Sequence, residues 1–249
     1  MLPDFSIKAE PICHGCEWET PLGLFRLTNS MVIMFVVMIA LIVPALLVRR
    51  NVGMVPGAAQ NLMEFLLEAV EGLVGSALGR FSQQLYPLIA SFFILILFSN
   101  WFSLLPLVGM VGYVEVHDGH EVVIPYLRPA TADINLTLAL AIGAFLVIHS
   151  TGIRSHGLIG HIKSVAQNSP LLFPIFLVIE LFVIVSLSFR LFGNLFAGEV
   201  LLGLANWQGW IVGAIFLVLE LLFGLIQAIV FTMLTVSFTS VSIGSEEHH

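Results

Sequence analysis

Residues 170–205 and 208–243 are two almost unbroken apolar stretches, joined by a short polar turn at Asn206, Trp207, Gln208 and Gly209. Each is about 35 residues, so as a helix rising about 1.5 Å per residue it would exceed about 50 Å. A bilayer's hydrocarbon core is only about 30 Å thick. Helices this long must tilt well beyond the usual angle or kink. The pair therefore reads as a strongly tilted helical hairpin, and a curved partner to wrap around would explain the length.

Composition agrees with a membrane setting. Hydrophobic residues make up 58% of the 249 and charged residues 10%. A soluble domain carries about 25% charged residues, so a soluble globular enzyme is excluded. Nine scattered Lys and Arg against a net charge of −7 leave no nucleic-acid footprint.

Further apolar runs at 31–48, 87–108 and 131–149 each approach the length of a span. Residues 57–81 differ. Glu64, Glu68 and Glu71 recur at i, i+4 and i+7, one face of a helix whose other face is apolar. That pattern predicts an amphipathic helix at the interface. The expected fold is an all-α polytopic membrane protein with five membrane-crossing helices and one interfacial helix. Its parts are an N-terminal tail (1–30), a first span (31–50), the interfacial helix (57–81), two spans with an outer loop at 109–130 (87–150), the hairpin (170–243) and a tail (244–249).

Positive residues orient the chain. Arg49, Arg50, Arg80, Arg154 and Lys163 fall on one side, assigned to the cytoplasm; Lys8, Arg26 and Arg128 fall on the other. The N-terminus is then outside and the C-terminus inside. The acidic start, with Asp4, Glu10, Glu17 and Glu19, is unlike a signal or transit peptide. Cys13 and Cys16 allow a zinc half-site or a redox pair, but the segment offers at most three zinc ligands and reads as a plain tail that a local disulfide could bridge. His117 and His120 read as solvated loop residues, and His149 closes a span. No two of these histidines share a helical face, so no metal is expected there, and no cofactor is expected.

The hairpin contains Glu180, Arg190, Glu199 and Glu220. A charge at the centre of a span costs about 2.5–3.5 kcal/mol on insertion scales, and such residues usually face a partner or a water-filled cavity. Arg190 and Glu199 lie on opposite helical faces and about 13–14 Å apart in height, so they cannot pair. Asn194 shares the arginine's face, and Gln227 shares that of Glu220. One arginine with carboxylates displaced on either side suggests an ion path in two parts. Interhelical salt-bridge glue is the plainer alternative.

The block Ser188-Phe189-Arg190-Leu191-Phe192-Gly193-Asn194-Leu195-Phe196-Ala197-Gly198-Glu199 resembles the signature of subunit a of bacterial F-type ATP synthases. The segment from Gly224 to Phe231, with Gln227, is similar to that family's last helix, and Asp133 to Thr137 to the start of an earlier span. The resemblance implies a non-catalytic, ion-translocating subunit in the bacterial inner membrane, with H⁺ as the expected ion. Its partners would be a rotating c-subunit ring, b-type peripheral stalk subunits and the soluble ATPase sector. Arg190 would be the essential arginine facing the ring carboxylate. Glu199 and Glu220, with Asn194 and Gln227, would line an outer half-channel with Asp133 and Asn135 near its mouth, and Glu180 would lie by the inner one. The rival is a stand-alone transporter or channel with a buried Arg/Glu site. Such proteins usually carry internal repeats, and residues 31–108 hold no counterpart of the Arg190 hairpin.

Overall fold

The computed structural model describes residues 17–20, 23–26, 28–50, 52–53, 56–57, 58–75, 78, 82–105, 108, 112–117, 120–165, 178–179, 182, 185–186, 188–193, 198 and 210–243. Five long helices are described: α1 (Asn29–Arg50), α2 (Ala58–Val74), α3 (Ser82–Phe102), α4 (Ile134–Val165) and α5 (Trp210–Ser242). Four of these are long and apolar enough to cross a membrane, at Asn29–Arg50, Ser82–Phe102, Ile134–Gly157 and Gly213–Ser242. The fifth expected crossing, at 170–205, falls largely outside the described residues, of which 188–193 are helical.

To the expected helices the fold adds two short antiparallel hairpins outside the candidate spans. They are β1 (Glu17–Thr20) with β2 (Gly23–Arg26), and β3 (Gly112–His117) with β4 (His120–Pro125). In register, Glu17 stands opposite Arg26 and His117 opposite His120. Alternation in Gly112–His117 and the β-branched run Val122-Val123-Ile124 favour strands, a signal easily lost beside the long apolar runs. Outside a bilayer, extended backbone can finish its hydrogen bonds with a neighbouring strand or water; inside, only a helix satisfies itself.

Several helix limits follow from local chemistry. Asp133 stops the short 3₁₀ turn at Ala130–Ala132 and opens α4, accepting the backbone N–H of Asn135 at 2.9 Å. Near the end of the apolar run in α4, the hydroxyls of Ser150 and Thr151 donate back to the Val147 carbonyl, so these polar side chains are satisfied within the helix. The helix kinks at Gly157, where φ is +71°, a conformation open to glycine without a Cβ penalty. In α5, Thr232, Thr235 and Thr239 return their hydroxyl protons to the carbonyls of Ala228, Phe231 and Thr235. These three threonines thus sit in a span without an unmet donor.

The chain divides into two compact units, each containing parts of several helices. In the first, Ile33, Val37 and Ala130 form a buried cluster against Leu95, Phe98, Phe102 and Leu136. In the second, the Phe92 and Phe231 rings pack with centroids 6.0 Å apart. Phe92 also meets Gly143 closely, so α3 and α4 approach there. The Tyr86 hydroxyl donates to the Leu67 carbonyl at 2.8 Å, fastening α2 to α3. Glu64, Glu68 and Glu71 on α2 are exposed, as the amphipathic pattern requires.

Candidate ion-path residues

Arg190 lies in the helical residues 188–193, and its direction is defined by its neighbours' burial. Ser188, Leu191 and Phe192 are buried, whereas Phe189 and Arg190 are exposed. The spacing i, i+3, i+4 places the buried set on one face. The guanidinium therefore leaves the packed side of its helix. Ser188 anchors that side: its hydroxyl and that of Thr137 on α4 lie 3.2 Å apart, both buried.

Glu220 is partly buried on the packed face of α5, along with Gly224, Gln227 and Phe231. Its carboxyl meets Gly198; a Cβ added there would lie 2.7 Å from Glu220 Cδ. The glycine is what allows the acid and this backbone to approach. Gln227 is buried, and its Nε2 has no hydrogen-bond partner among the described residues. A buried amide left that way costs about 1–3 kcal/mol, so such groups call for a partner or a bound ligand. Glu220 and Gln227 are separated by about 10 Å along one face of α5.

Asp133 is buried and holds a local network rather than standing free. It accepts the Ser30 hydroxyl at 3.2 Å through Oδ2 and the Asn135 side-chain amide at 3.0 Å through Oδ1. Asn135 itself is exposed. Glu180, Asn194 and Glu199 lie outside the described residues, as do Cys13 and Cys16.

Two polar centres were not anticipated from sequence. Asn100 on α3 is buried, donates to the Gly224 carbonyl at 3.1 Å and accepts the Thr131 hydroxyl at 3.0 Å. Trp101 Nε1 adds a longer contact to the Leu221 carbonyl at 3.4 Å. α3 therefore grips α5 just beyond Glu220. The available signal was one amide near the end of the apolar run 88–102, since buried side-chain amides in spans hydrogen-bond across helices. The second centre joins His149 and His161, whose Nδ1 and Nε2 atoms lie 2.9 Å apart. Helical spacing could not foresee that pair, because Gly157 breaks the helix between them. No group of three metal-ligating side chains occurs among the described residues.

The described residues combine a fixed positive charge with polar and acidic side chains in apolar segments. One fixed cation leaves the packed face of its helix, and α5 carries a carboxylate and an amide aligned on one face.

Known proteins share this sequence over most of its length. The family described as ATP synthase A chain matches residues 30–240. ATP synthase subunit a of Mycobacterium ulcerans is 38% identical, over 98% of each chain. That of Moorella thermoacetica is 33% identical over 87% of this chain and 91% of its own. The sodium-ion-specific subunit a of Propionigenium modestum is 31% identical over 90% of this chain and 77% of its own.

Proposed function

The chain belongs to the ATP synthase A chain family, and we propose on that footing that it is the stator subunit carrying ions past a rotating c ring. It is an ion-transporting membrane protein of the ATP-synthesising machinery and performs no covalent step of its own. The ring, the b-type stalk and the soluble ATPase sector are its partners in the bacterial inner membrane, with the N-terminus outside.

The supporting observation is the outward-facing Arg190 beside buried Ser188, Leu191 and Phe192. In an apolar stretch, an outward arginine would meet lipid unless a partner covers it, and lipid exposure of a charge costs several kcal/mol. A ring carboxylate answers that requirement. An ion, H⁺ in this reading, enters by way of Glu199 and Glu220, with Asn194, Gln227, Asp133 and Asn135 as polar neighbours. It neutralises a ring carboxylate, which can then turn into lipid, because burial penalises charge most. On return, Arg190 favours the ionised carboxylate and so the release of the ion past Glu180. Arginine keeps its proton at working pH and acts as a fixed charge rather than a relay.

Purification in mild detergent followed by reconstitution tests the whole reading. Sodium dependence tests the choice of H⁺, since one relative is named as sodium specific. A co-purifying c ring and ATPase whose ATP-driven flux needs no Na⁺ agrees with the proposal. A chain that isolates alone and transports by itself contradicts it.

A further inference from the structure

Beyond the kink at Gly157, residues 158–165 form a short arm of α4, and three histidines gather around its root. His149 Nδ1 and His161 Nε2 are 2.9 Å apart, with ring planes 75° apart. The Phe145 ring closes one side, its centroid 3.9 Å from that of His149. His161 is 5% exposed, and its Nδ1 has no hydrogen-bond partner among the described residues. The ring sits over Gly152. A Cβ there would lie 2.6 Å from His161 Cε1 and would overlap the Ser242 hydroxyl as well. That hydroxyl donates to the Ile148 carbonyl at 3.2 Å. His156 Nε2 lies 3.2 Å from the Ile243 carbonyl and must donate to it. The notch at Gly152 thus brings together the arm, α4 and the end of α5.

We propose that the His149–His161 hydrogen bond is an acid-labile clasp that holds the 158–165 arm against the ends of α4 and α5 and opens when both imidazoles are protonated. An N–H···N bond needs one ring to present a lone pair, and a neutral imidazole has one donor and one acceptor nitrogen. A single proton on the pair leaves one acceptor, so the bond survives. A second proton sets two N–H groups against each other at 2.9 Å. The His156 contact is not lost in this way, because a protonated imidazole still donates.

Among the described residues, little around the clasp offsets the added charge. Neither α4 nor residues 228–243 carry a carboxylate; Arg154 is exposed on α4, and Lys163 belongs to the arm. Ser242 and Thr239 contribute only neutral hydroxyls from α5. Burial pushes His161 below the ordinary imidazole range, and His156 pushes it further the same way. A histidine depressed in the closed form contributes its full stability above its ordinary pKa, about 6.5, and loses it as pH falls through the depressed value. Acid therefore opens the clasp. The arm precedes the segment bearing Arg190 in the chain. The clasp itself stands independently of the ion path.

Nitroxide labels on Ile159→Cys and Val241→Cys, both exposed positions, in a full chain lacking Cys13 and Cys16, read the arm's distance from α5 in lipid nanodiscs. One short distance is expected at about pH 8, giving way to a longer, broader distribution at about pH 5, with a midpoint below about 6.5. Glutamine can donate and accept without titrating, so His161→Gln and His149→Gln should each abolish the acid-dependent step. A wild-type distribution unchanged in acid overturns the clasp, and so does an acid transition that persists in both glutamine variants.

Discussion

The hydroxyls of Thr137 and Ser188 meet at 3.2 Å in a buried contact two residues before Arg190. It fixes which face of the arginine's helix is turned inward. Interhelical hydrogen bonds between spans are worth about 0.6 kcal/mol on average and at most about 1.7. Thr137→Val keeps the volume and removes the bond. ATP-driven ion uptake by membrane vesicles should fall about two- to threefold, within that energy range, while Thr137→Ser should stay near wild type. Identical uptake in Thr137→Val would remove this contact from the positioning of Arg190.

Gly198 and Glu220 make a second close approach. An alanine at 198 places its methyl 2.7 Å from Glu220 Cδ, so the carboxyl must swing away. A methyl at Gly72 on α2 would meet nothing within 4 Å, which makes that position the control. Gly198→Ala should lower coupled flux at least about tenfold, an effect of about 1.4 kcal/mol on the barrier, and Gly72→Ala should leave it unaltered. Similar flux in both would mean that the position of the Glu220 carboxyl does not matter.

The acids themselves can be tested by removing charge with little change of shape. Glu199→Gln and Glu220→Gln should each slow ATP-driven uptake, and each should do so far more than Glu246→Gln in the C-terminal tail. Wild-type rates in both variants would make the two acids structural.

Much of this architecture was legible because a bilayer leaves few options. Long apolar runs become helices since each backbone group must be satisfied within its own segment, and α5 at Trp210–Ser242 needed nothing more. The spacing of Glu64, Glu68 and Glu71 likewise displayed their exposed face. The site was only partly readable. Arg190 announced itself as a charge where charge is unfavourable, but its outward direction emerged from the burial of Ser188, Leu191 and Phe192. Asn100 with Thr131, and His149 with His161, are contacts between residues 31 and 12 positions apart. Periodicity within one helix carries no information about such pairs. The β3–β4 hairpin was hidden for a related reason, as its alternation is a short signal beside much longer apolar runs.

Orientation can be settled with single cysteines in a chain lacking Cys13 and Cys16. Gly119 belongs to the loop placed outside, whereas Ile159 is exposed on the arm beyond Gly157. A membrane-impermeant maleimide should label Gly119→Cys from the outer side and Ile159→Cys from the cytoplasmic side. Labelling of both from one side would contradict the positive-residue assignment.

Arg190 provides the most discriminating test. Its charge has two tasks in the proposed path: it draws the ionised ring carboxylate, and it keeps cations from passing directly between the half-channels. Alanine removes both. Arg190→Ala should abolish ATP synthesis and ATP-driven uptake, yet passive ion movement down a gradient can continue because the barrier charge has gone. Lysine keeps a positive charge but not the planar, multi-donor head, and its ammonium can lose its proton when buried. Arg190→Lys should therefore also be severely impaired, although less leaky than the alanine variant while its ammonium stays protonated. The measurement is a paired one on assembled complex in vesicles, ATP-driven uptake and passive leak on the same preparation. Uptake near the wild-type rate in Arg190→Ala would rule out this mechanism, because residues 188–193 hold no second cation to take the arginine's place.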